Sequence, residues 1–289
     1  MQEFFKALAN PAVPFIRYAL IAGLLSSVSF GMIGAFVVVR RISSIAGAIA
    51  HSVLAGIGFS LYMQSARGVS WLSPLLGAVI AALLSALIIA MVSMYAKQRE
   101  DTVIGAIWAV GMAVGLLFMA RTPGYVDPMS YLFGNILIIS SRDLYLIGAL
   151  DLAVAFTCIL FYRRLQAVSF DEEFSSVRGM RVGAYYILLL VLTALTVVLM
   201  ASIVGIVMVI ALLTIPAAVS ALFCRHLWQM MAVSAVLTMV FASTGLAVSY
   251  AADVPSGSMI IVVAGGAYLV SLLTRWLVLR IRRRTLARR

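Results

Sequence analysis

Long apolar runs, separated by short polar segments, make up most of the chain. Each run has roughly the 20 residues that an α-helix needs to cross the hydrocarbon core of a bilayer. One run, residues 185–223, is too long for a single crossing, and Gly205 indicates a tight turn that divides it. The pattern therefore predicts about nine membrane-spanning helices, at 15–39, 45–63, 71–95, 103–120, 144–162, 184–201, 203–223, 229–250 and 259–279.

The composition agrees with an all-α membrane protein, a polytopic helical bundle that forms a single transmembrane domain over residues 1–289. Hydrophobic residues make up 64% of the chain and charged residues 11%, whereas soluble domains carry roughly 25% charged residues. Such a chain cannot cover a water-soluble surface, and the spans leave no separate basic domain that could bind nucleic acid. The sequence motifs GxxxxGK[ST], HExxH and GxSxG are absent, which argues against an enzyme.

The basic residues lie at the ends of the predicted spans, and their distribution indicates an orientation. The net charge is +11, and the densest basic stretch is the C-terminal tail, residues 275–289. If this tail is cytoplasmic, the inner side holds sixteen Lys and Arg residues and the outer side holds five. Cytoplasmic loops typically show this excess, and a basic tail also attracts anionic lipids. The sequence therefore predicts a multi-pass membrane protein with a cytoplasmic C-terminus.

The inner loop at residues 163–184 predicts a short amphipathic helix. Ser169 precedes Glu172 by three residues, which is the spacing of a capping box. Gly179 marks the end of the helix. Three apolar residues share one face at the spacing i, i+4, i+7, namely Phe170, Phe174 and Val177. A short acidic helix of this kind suits the docking of a partner protein, and a solvated linker is the alternative; its acidic residues are Asp171, Glu172 and Glu173.

The outer loop at residues 121–143 combines turn residues with an apolar stretch. Pro, Gly and Asp residues open the loop and indicate turns, and the apolar sequence YLFGNILII follows them. An apolar stretch at this position favours a short helix that lies at the membrane interface or dips into the bundle.

Two ionisable residues lie well inside predicted spans, His51 and Asp151. Such groups are costly in a membrane, so they either find a partner or mark a functional site. His51 lies among small residues that allow close helix approach or leave room for a pathway. Because neutral imidazole is a good ligand for zinc, manganese or iron, His51 is a candidate metal ligand, with a structural histidine as the alternative. Asp151 is expected to hydrogen-bond a neighbouring helix. Asp253 lies at an outer turn, where it either forms the turn or attracts cations.

Six segments, in the order of the chain, resemble motifs of the metal-cation ABC-3 permease family, the membrane subunits of bacterial zinc, manganese and iron ABC importers. They cover most of the chain and read FVVVRRISSIAGAIAHSVLAGIGFSLYM, EDTVIGAIWAVGMAVGLLF, SYLFGNIL, FDEEFSSVRGMRV, VGIVMVIALLTIPAAVSAL and DVPSG. The family has an acidic residue one helical turn before its histidine, whereas this chain has Gly47 there. The resemblance therefore carries over to His51 but not to the acidic ligand.

The resemblance implies a transmembrane permease of the bacterial cytoplasmic (inner) membrane that moves zinc, manganese or iron inward. Its architecture would be similar to that of cobalamin-type (type II) ABC importer permeases. It implies a homodimer, or a heterodimer with a similar permease, driven by a separate ATPase subunit and supplied by a periplasmic or lipid-anchored metal-binding protein. No cofactor would be bound permanently, since the divalent metal is the substrate. A secondary metal-ion carrier not driven by ATP is the alternative, although such carriers usually hold several intramembrane carboxylates. A non-transporting membrane subunit is a third possibility.

The resemblance also implies roles for particular residues. The segment 163–184 corresponds to the part of a permease that contacts the ATPase, and its candidate coupling residues are Phe170, Asp171, Glu172, Glu173, Phe174 and Gly179. The outer loop would dock the binding protein through Tyr125, Asp127 and Tyr131. His51 would bind the metal on the translocation path, and further candidate metal residues are Asp151 and Asp253.

Overall fold

The structure, a computed structural model, describes residues 14–95, 100–124, 126–134 and 141–286. All regular elements in these ranges are helices, which confirms the predicted all-α fold. In chain order they are α1 Pro14–Val39, α2 Ser43–Arg67, α3 Pro74–Tyr95, α4 Glu100–Arg121, α5 Pro128–Phe133, α6 Ser141–Phe170, α7 Glu172–Val177, α8 Val182–Val204, α9 Ile206–Phe223, α10 Leu227–Ala252 and α11 Ser256–Leu286.

A helix lies at each of the nine predicted spans. Eight of these helices are long and apolar enough to cross a membrane, counted over the described residues. The ninth is α8, which has 23 residues and whose apolar part Val182–Val198 is shorter than the others. The basic tail is helical as far as it is described, because α11 continues without interruption to Leu286.

Helix α2 lies in the interior of the bundle, where it packs against α3, α4 and α8. Buried residues make up 78% of its apolar stretch. Its small side chains let α4 approach the backbone closely. A Cβ atom at Gly111 of α4 would lie 2.7 Å from the Cα atom of Ser52, and one at Gly115 would lie 2.5 Å from the carbonyl carbon of Leu54. Only glycine fits at these two positions, so the α2–α4 contact is a backbone-to-backbone crossing.

Helices α4, α6 and α11 lie at the periphery. Only 17%, 22% and 17% of their apolar stretches are buried. Large apolar side chains on them are well exposed, among them Leu117 at 65%, Leu152 at 73% and Leu269 at 67%. Apolar surface of this extent is unfavourable in water and favourable against lipid or another protein, which agrees with a membrane-embedded bundle.

The break between α8 and α9 falls at Gly205, as predicted. Its φ of 94° lies in the left-handed region that favours glycine. A second constraint acts here, since a Cβ atom at Gly205 would lie 2.3 Å from the backbone nitrogen of Gly134. A Cβ atom at Gly257, at the start of α11, would likewise lie 2.2 Å from the carbonyl oxygen of Phe133. The predicted outer-loop helix is therefore α5, and its C-terminal end lies against the bundle. The rest of that apolar stretch, residues 135–140, is outside the described residues.

The capping box predicted in the inner loop is wrong, because the N-cap of the short helix lies two residues after Ser169. Helix α6 runs through Ser169 to Phe170, and Asp171 is the N-cap of α7. The Oδ1 atom of Asp171 accepts a hydrogen bond from the backbone N–H of Phe174 at 2.8 Å. Aspartate is as good an N-cap as serine, so the longer α6 and the aspartate cap together override the Ser169 pattern. Gly179, with φ of 76°, follows the end of α7 as predicted.

Candidate metal path and coupling segment

His51 lies in the middle of α2 and is 8% exposed. Its imidazole ring stacks on the indole of Trp108 from α4, with ring centroids 4.5 Å apart and planes inclined by 18°. The Nδ1 atom of His51 is buried and has no hydrogen-bond partner among the described residues. A buried polar atom without a partner costs about 1–3 kcal/mol. The imidazole therefore retains a nitrogen atom that no described residue engages.

The same indole covers the position one helical turn before His51. A Cβ atom at Gly47 would lie 3.0 Å from Cζ3 of Trp108, which is tighter than ordinary van der Waals contact. An aspartate at position 47 would therefore displace the ring. The chain has an aromatic side chain in the space that the resemblance assigns to a carboxylate. Sequence reasoning missed Trp108, although it is the one tryptophan of the helix that crosses α2.

Asp151, on α6, accepts a hydrogen bond through Oδ1 from the hydroxyl of Ser29 on α1. The expected contact with a neighbouring helix is thus present. Asp151 is 8% exposed, and its Oδ2 atom has no partner among the described residues. It lies in the wall of an apolar groove of about 820 Å³ between α1 and α6. The hydrogen bond with Ser29 gives Asp151 a structural role, because it joins α1 to α6.

The three predicted metal residues lie on different helices. Asp253 is the C-cap of α10, has φ of 53° and is exposed, as expected of a turn residue. Over the described residues, no group of three His, Cys, Asp or Glu side chains is arranged to hold a metal ion. A metal ion at His51 would therefore need other ligands, such as water, backbone oxygens or residues of another chain. The metal roles of His51, Asp151 and Asp253 stay predictions.

The coupling segment presents an apolar face to solvent. Phe170, Phe174 and Val177 are 64%, 56% and 88% exposed. Glu172 and Glu173 occupy the first turn of α7, where negative charge interacts favourably with the helix N-terminus. Phe170 ends α6, whereas Phe174 and Val177 lie on α7, so the prediction that one helix face holds all three is wrong. Exposed apolar side chains flanked by charges are typical of a protein-binding surface. Docking of a partner on this segment stays a prediction.

Arg40 connects the coupling segment to the start of α2. Its guanidinium forms an ion pair with Glu172 of α7, and Nη1 donates a hydrogen bond to the carbonyl oxygen of Val168 at 3.0 Å. The guanidinium also lies 4.4 Å from the ring centroid of Tyr186 on α8. Burial lowers the pKa of Arg40, but an arginine stays protonated in proteins. Sequence reasoning counted Arg40 only in the charge bias and missed this role.

A polar cavity of about 410 Å³ opens beside this junction. Its wall includes the start of α2, the start of α4 and the coupling helix; the charged lining residues are Arg40, Arg41, Glu100, Asp101 and Glu172. The two helices that hold His51 and Trp108 therefore begin in the same cavity that contains the ion pair of the coupling segment. Of the lining residues, Glu172 is the one contributed by α7.

The candidate docking residues of the outer loop lie at the end of the membrane-spanning helices that is opposite to the coupling segment. Asp127 is the N-cap of α5 and accepts hydrogen bonds from the Ser130 hydroxyl at 2.8 Å and the Met129 N–H at 3.0 Å. These bonds, chiefly that of Ser130, lower the pKa of Asp127, so its carboxylate is charged at neutral pH. Burial raises the pKa of the partly buried Tyr131. Tyr125, the third predicted docking residue, lies outside the described residues.

A bundle of membrane-length helices with a short helix between two of them defines the class of protein, a polytopic helical membrane protein. The chain belongs to the ABC 3 transport family, whose model matches residues 12–275. This confirms the family predicted from the six segments.

Relatives and a solved structure match nearly the whole chain. An uncharacterized membrane protein of Synechocystis is 42% identical, with 90% of this chain and 91% of that protein covered. The manganese transport system membrane protein MntC of Halalkalibacterium halodurans is 33% identical, with 89% and 86% covered. The structure of PsaBC from Streptococcus pneumoniae in complex with Fab superposes with a TM-score of 0.82 at 29% identity, covering 93% of this chain and 94% of that chain. This likeness confirms the predicted fold class.

Proposed function

We propose that this chain is the membrane-spanning permease of an ABC importer that carries a divalent transition metal, manganese before zinc or iron, into the cytoplasm. The observation that carries the proposal is its full-length relationship to a manganese transport system membrane protein within the ABC 3 family. His51 supports it from the structure, because it is a buried imidazole with an unpartnered nitrogen on the central helix. Imidazole binds manganese, zinc and iron.

The proposal includes a separate ATPase subunit that docks on α7. The exposed face of Phe174 and Val177 is the contact surface, and the ion pair of Glu172 with Arg40 passes the movement to the start of α2. On the outer side, α5 and the loop around Asp127 receive the metal from an extracytoplasmic binding protein. In this arrangement the coupling segment and the basic C-terminal end of α11 lie on the cytoplasmic side of the inner membrane. The excess of basic residues predicted for that side agrees with this orientation.

The proposal also includes a dimer of two such chains. Helix α4 presents an exposed surface of small and aliphatic residues, and small residues allow helices of two subunits to approach closely. A homodimer is the proposed state, and a heterodimer with a similar permease is the other outcome that the mass of the purified complex would reveal. An ATP-independent secondary carrier has no structural support here, because the described spans do not contain a cluster of carboxylates for ion coupling.

Metal uptake into proteoliposomes tests the proposal. The vesicles contain this chain and its ATPase, with the binding protein outside and ATP inside, and uptake of manganese, zinc and iron is compared. ATP-dependent uptake of manganese is the expected result. His51→Ala should abolish uptake while the complex still assembles, and His226→Ala, at the exposed start of α10, is the matched control. Uptake that is independent of ATP, or that His51→Ala leaves intact, contradicts the corresponding part of the proposal.

A further inference from the structure

The contact between His51 and Trp108 spans a full turn of α2. The indole stacks on the imidazole at a centroid distance of 4.5 Å. One turn earlier, its Cζ3 atom lies 3.0 Å from the place where a Cβ atom of Gly47 would be. Trp108 therefore lies flat along α2 over both positions, and the missing side chain at Gly47 is what allows it to do so.

The two stacked rings differ in their exposure. His51 is 8% exposed and Trp108 is 37% exposed. Trp108 belongs to α4, of which only 17% of the apolar stretch is buried. The indole is thus the outer ring of the pair, and it separates the imidazole from the surface that α4 presents. A ligand that approaches His51 from this surface meets the indole first.

We propose that Trp108 is a movable cover of His51, which must leave the stack before a divalent cation can bind the imidazole. The inference rests on the proposed function, in that the cation is the transported one. An offset stack of two aromatic rings contributes little beyond the apolar area that it buries. Because Trp108 is already 37% exposed, opening the stack removes only part of an indole from its packed surroundings. The buried, unpartnered Nδ1 atom of His51 gives a ligand a further advantage over the closed state.

A cover of this kind selects among cations. Mg²⁺ holds its water ligands and prefers oxygen, so it gains little from an imidazole. Mn²⁺ and Zn²⁺ gain more from a nitrogen ligand, and Zn²⁺ gains the most of these three. Only a cation that binds imidazole recovers the free energy lost when the stack opens. Trp108 is therefore a positioning residue that disfavours Mg²⁺, whereas the choice between Mn²⁺ and Zn²⁺ depends on further ligands.

Tryptophan fluorescence reports the position of the cover directly. The chain has four tryptophans, and the other three, Trp71, Trp228 and Trp276, are 71%, 60% and 52% exposed, so each tolerates replacement by phenylalanine. In this background Trp108 is the only indole. The full-length chain in lipid nanodiscs is titrated with Mn²⁺, Zn²⁺ and Mg²⁺, and metal binding is measured in parallel by equilibrium dialysis. We expect a saturable change in emission with Mn²⁺ and Zn²⁺, no change with Mg²⁺, and no change with any of them after His51→Ala.

The outcomes separate this inference from the proposed function. Metal binding that depends on His51 but leaves the Trp108 emission unchanged would overturn the cover and leave the permease in place. An identical emission change after His51→Ala would also overturn it. If the chain neither binds Mn²⁺ or Zn²⁺ nor supports their uptake with its ATPase and binding protein, both the cover and the proposed function are wrong.

A second pair of variants tests the cover through affinity. If the uncovered state is populated about a tenth of the time, the apparent dissociation constant is about tenfold weaker than that of an open site. Trp108→Ala should therefore tighten metal binding about tenfold, whereas Trp108→Phe, which keeps a ring on the imidazole, should stay close to the native value. Trp71→Ala, at a distant exposed position, is the matched control. Unchanged affinity in Trp108→Ala would contradict the cover.

Discussion

Arg40 and Glu172 form an ion pair that joins the coupling helix α7 to the junction of α1 and α2, although 132 positions separate them in the chain. The two ends of this pair differ in environment, since the Arg40 side chain is 10% exposed and that of Glu172 is 54% exposed. A pair between a buried residue and an exposed one links the interior of the bundle to its surface. It connects the surface proposed to contact the ATPase with the helix that contains His51.

Reversal of both charges tests this connection. We expect Arg40→Glu and Glu172→Arg to lower metal-dependent ATP hydrolysis and uptake individually, because each places two like charges next to each other. The double variant should recover part of the loss, with a coupling energy of about 0.5–3 kcal/mol. The ratio of metal transported to ATP hydrolysed is the measurement. Effects that simply add in the double variant would show that the pair does not transmit the signal. Arg225→Glu, at an exposed position between α9 and α10, is the control.

The exposed apolar face of α7 predicts where the ATPase binds. We expect Phe174→Ser together with Val177→Ser to weaken co-purification of the ATPase about tenfold, which corresponds to ~1.4 kcal/mol. Thermal stability should not fall, because both side chains are more than half exposed and bury little area within the chain. The binding affinity of the detergent-purified subunits is the measurement. Trp71→Ser, exposed at the other end of the bundle, should have no effect, and unchanged ATPase affinity in the double variant would reject α7 as the docking surface.

The positions of the helices could be predicted because a membrane requires long, uninterrupted apolar segments, and loops must break them. Gly205 divided one such run correctly, since a backbone with positive φ favours glycine. The N-cap of α7 was predicted at Ser169 but lies at Asp171. Two good capping residues lie two positions apart, and sequence spacing alone does not show where α6 ends.

The side-chain pairs of the candidate site could not be predicted in the same way. Trp108 reaches His51 only because Gly111 and Gly115 bring α4 against the α2 backbone, so the stack depends on a crossing that no local pattern specifies. The partner of Asp151 was expected on a neighbouring helix, but its identity as Ser29 depends on how α1 and α6 pack. The sequence therefore identified the ionisable residues, whereas the side chains that contact them could be identified only from the tertiary structure.

The hydrogen bond between Ser29 and Asp151 predicts a structural role for that carboxylate. Asp151→Asn keeps an acceptor oxygen, so we expect it to preserve both thermal stability and metal uptake. Asp151→Leu removes the acceptor and should lower stability modestly, since helix–helix hydrogen bonds in membranes contribute on average about 0.6 kcal/mol. Ser29→Ala should produce a similar loss, and the two changes together should not add. Loss of uptake in Asp151→Asn, with stability intact, would instead place the charge of Asp151 on the transport path.

The turn at Gly205 predicts a large effect from a single added methyl group. Alanine at this position would take up a φ of 94° that disfavours a side chain, and its Cβ atom would meet the backbone nitrogen of Gly134 at 2.3 Å. Strain of this kind costs about 1–3 kcal/mol before the displacement of α5 is counted. We expect Gly205→Ala to lower the thermal unfolding temperature in detergent and to weaken binding of the extracytoplasmic partner, because α5 is held against the turn. Gly265→Ala is the matched control, since a Cβ atom there meets no neighbouring atom within 4 Å and alanine favours the helix. Equal stability of the two variants would mean that the close contact between α5 and Gly205 does not hold the outer loop in place.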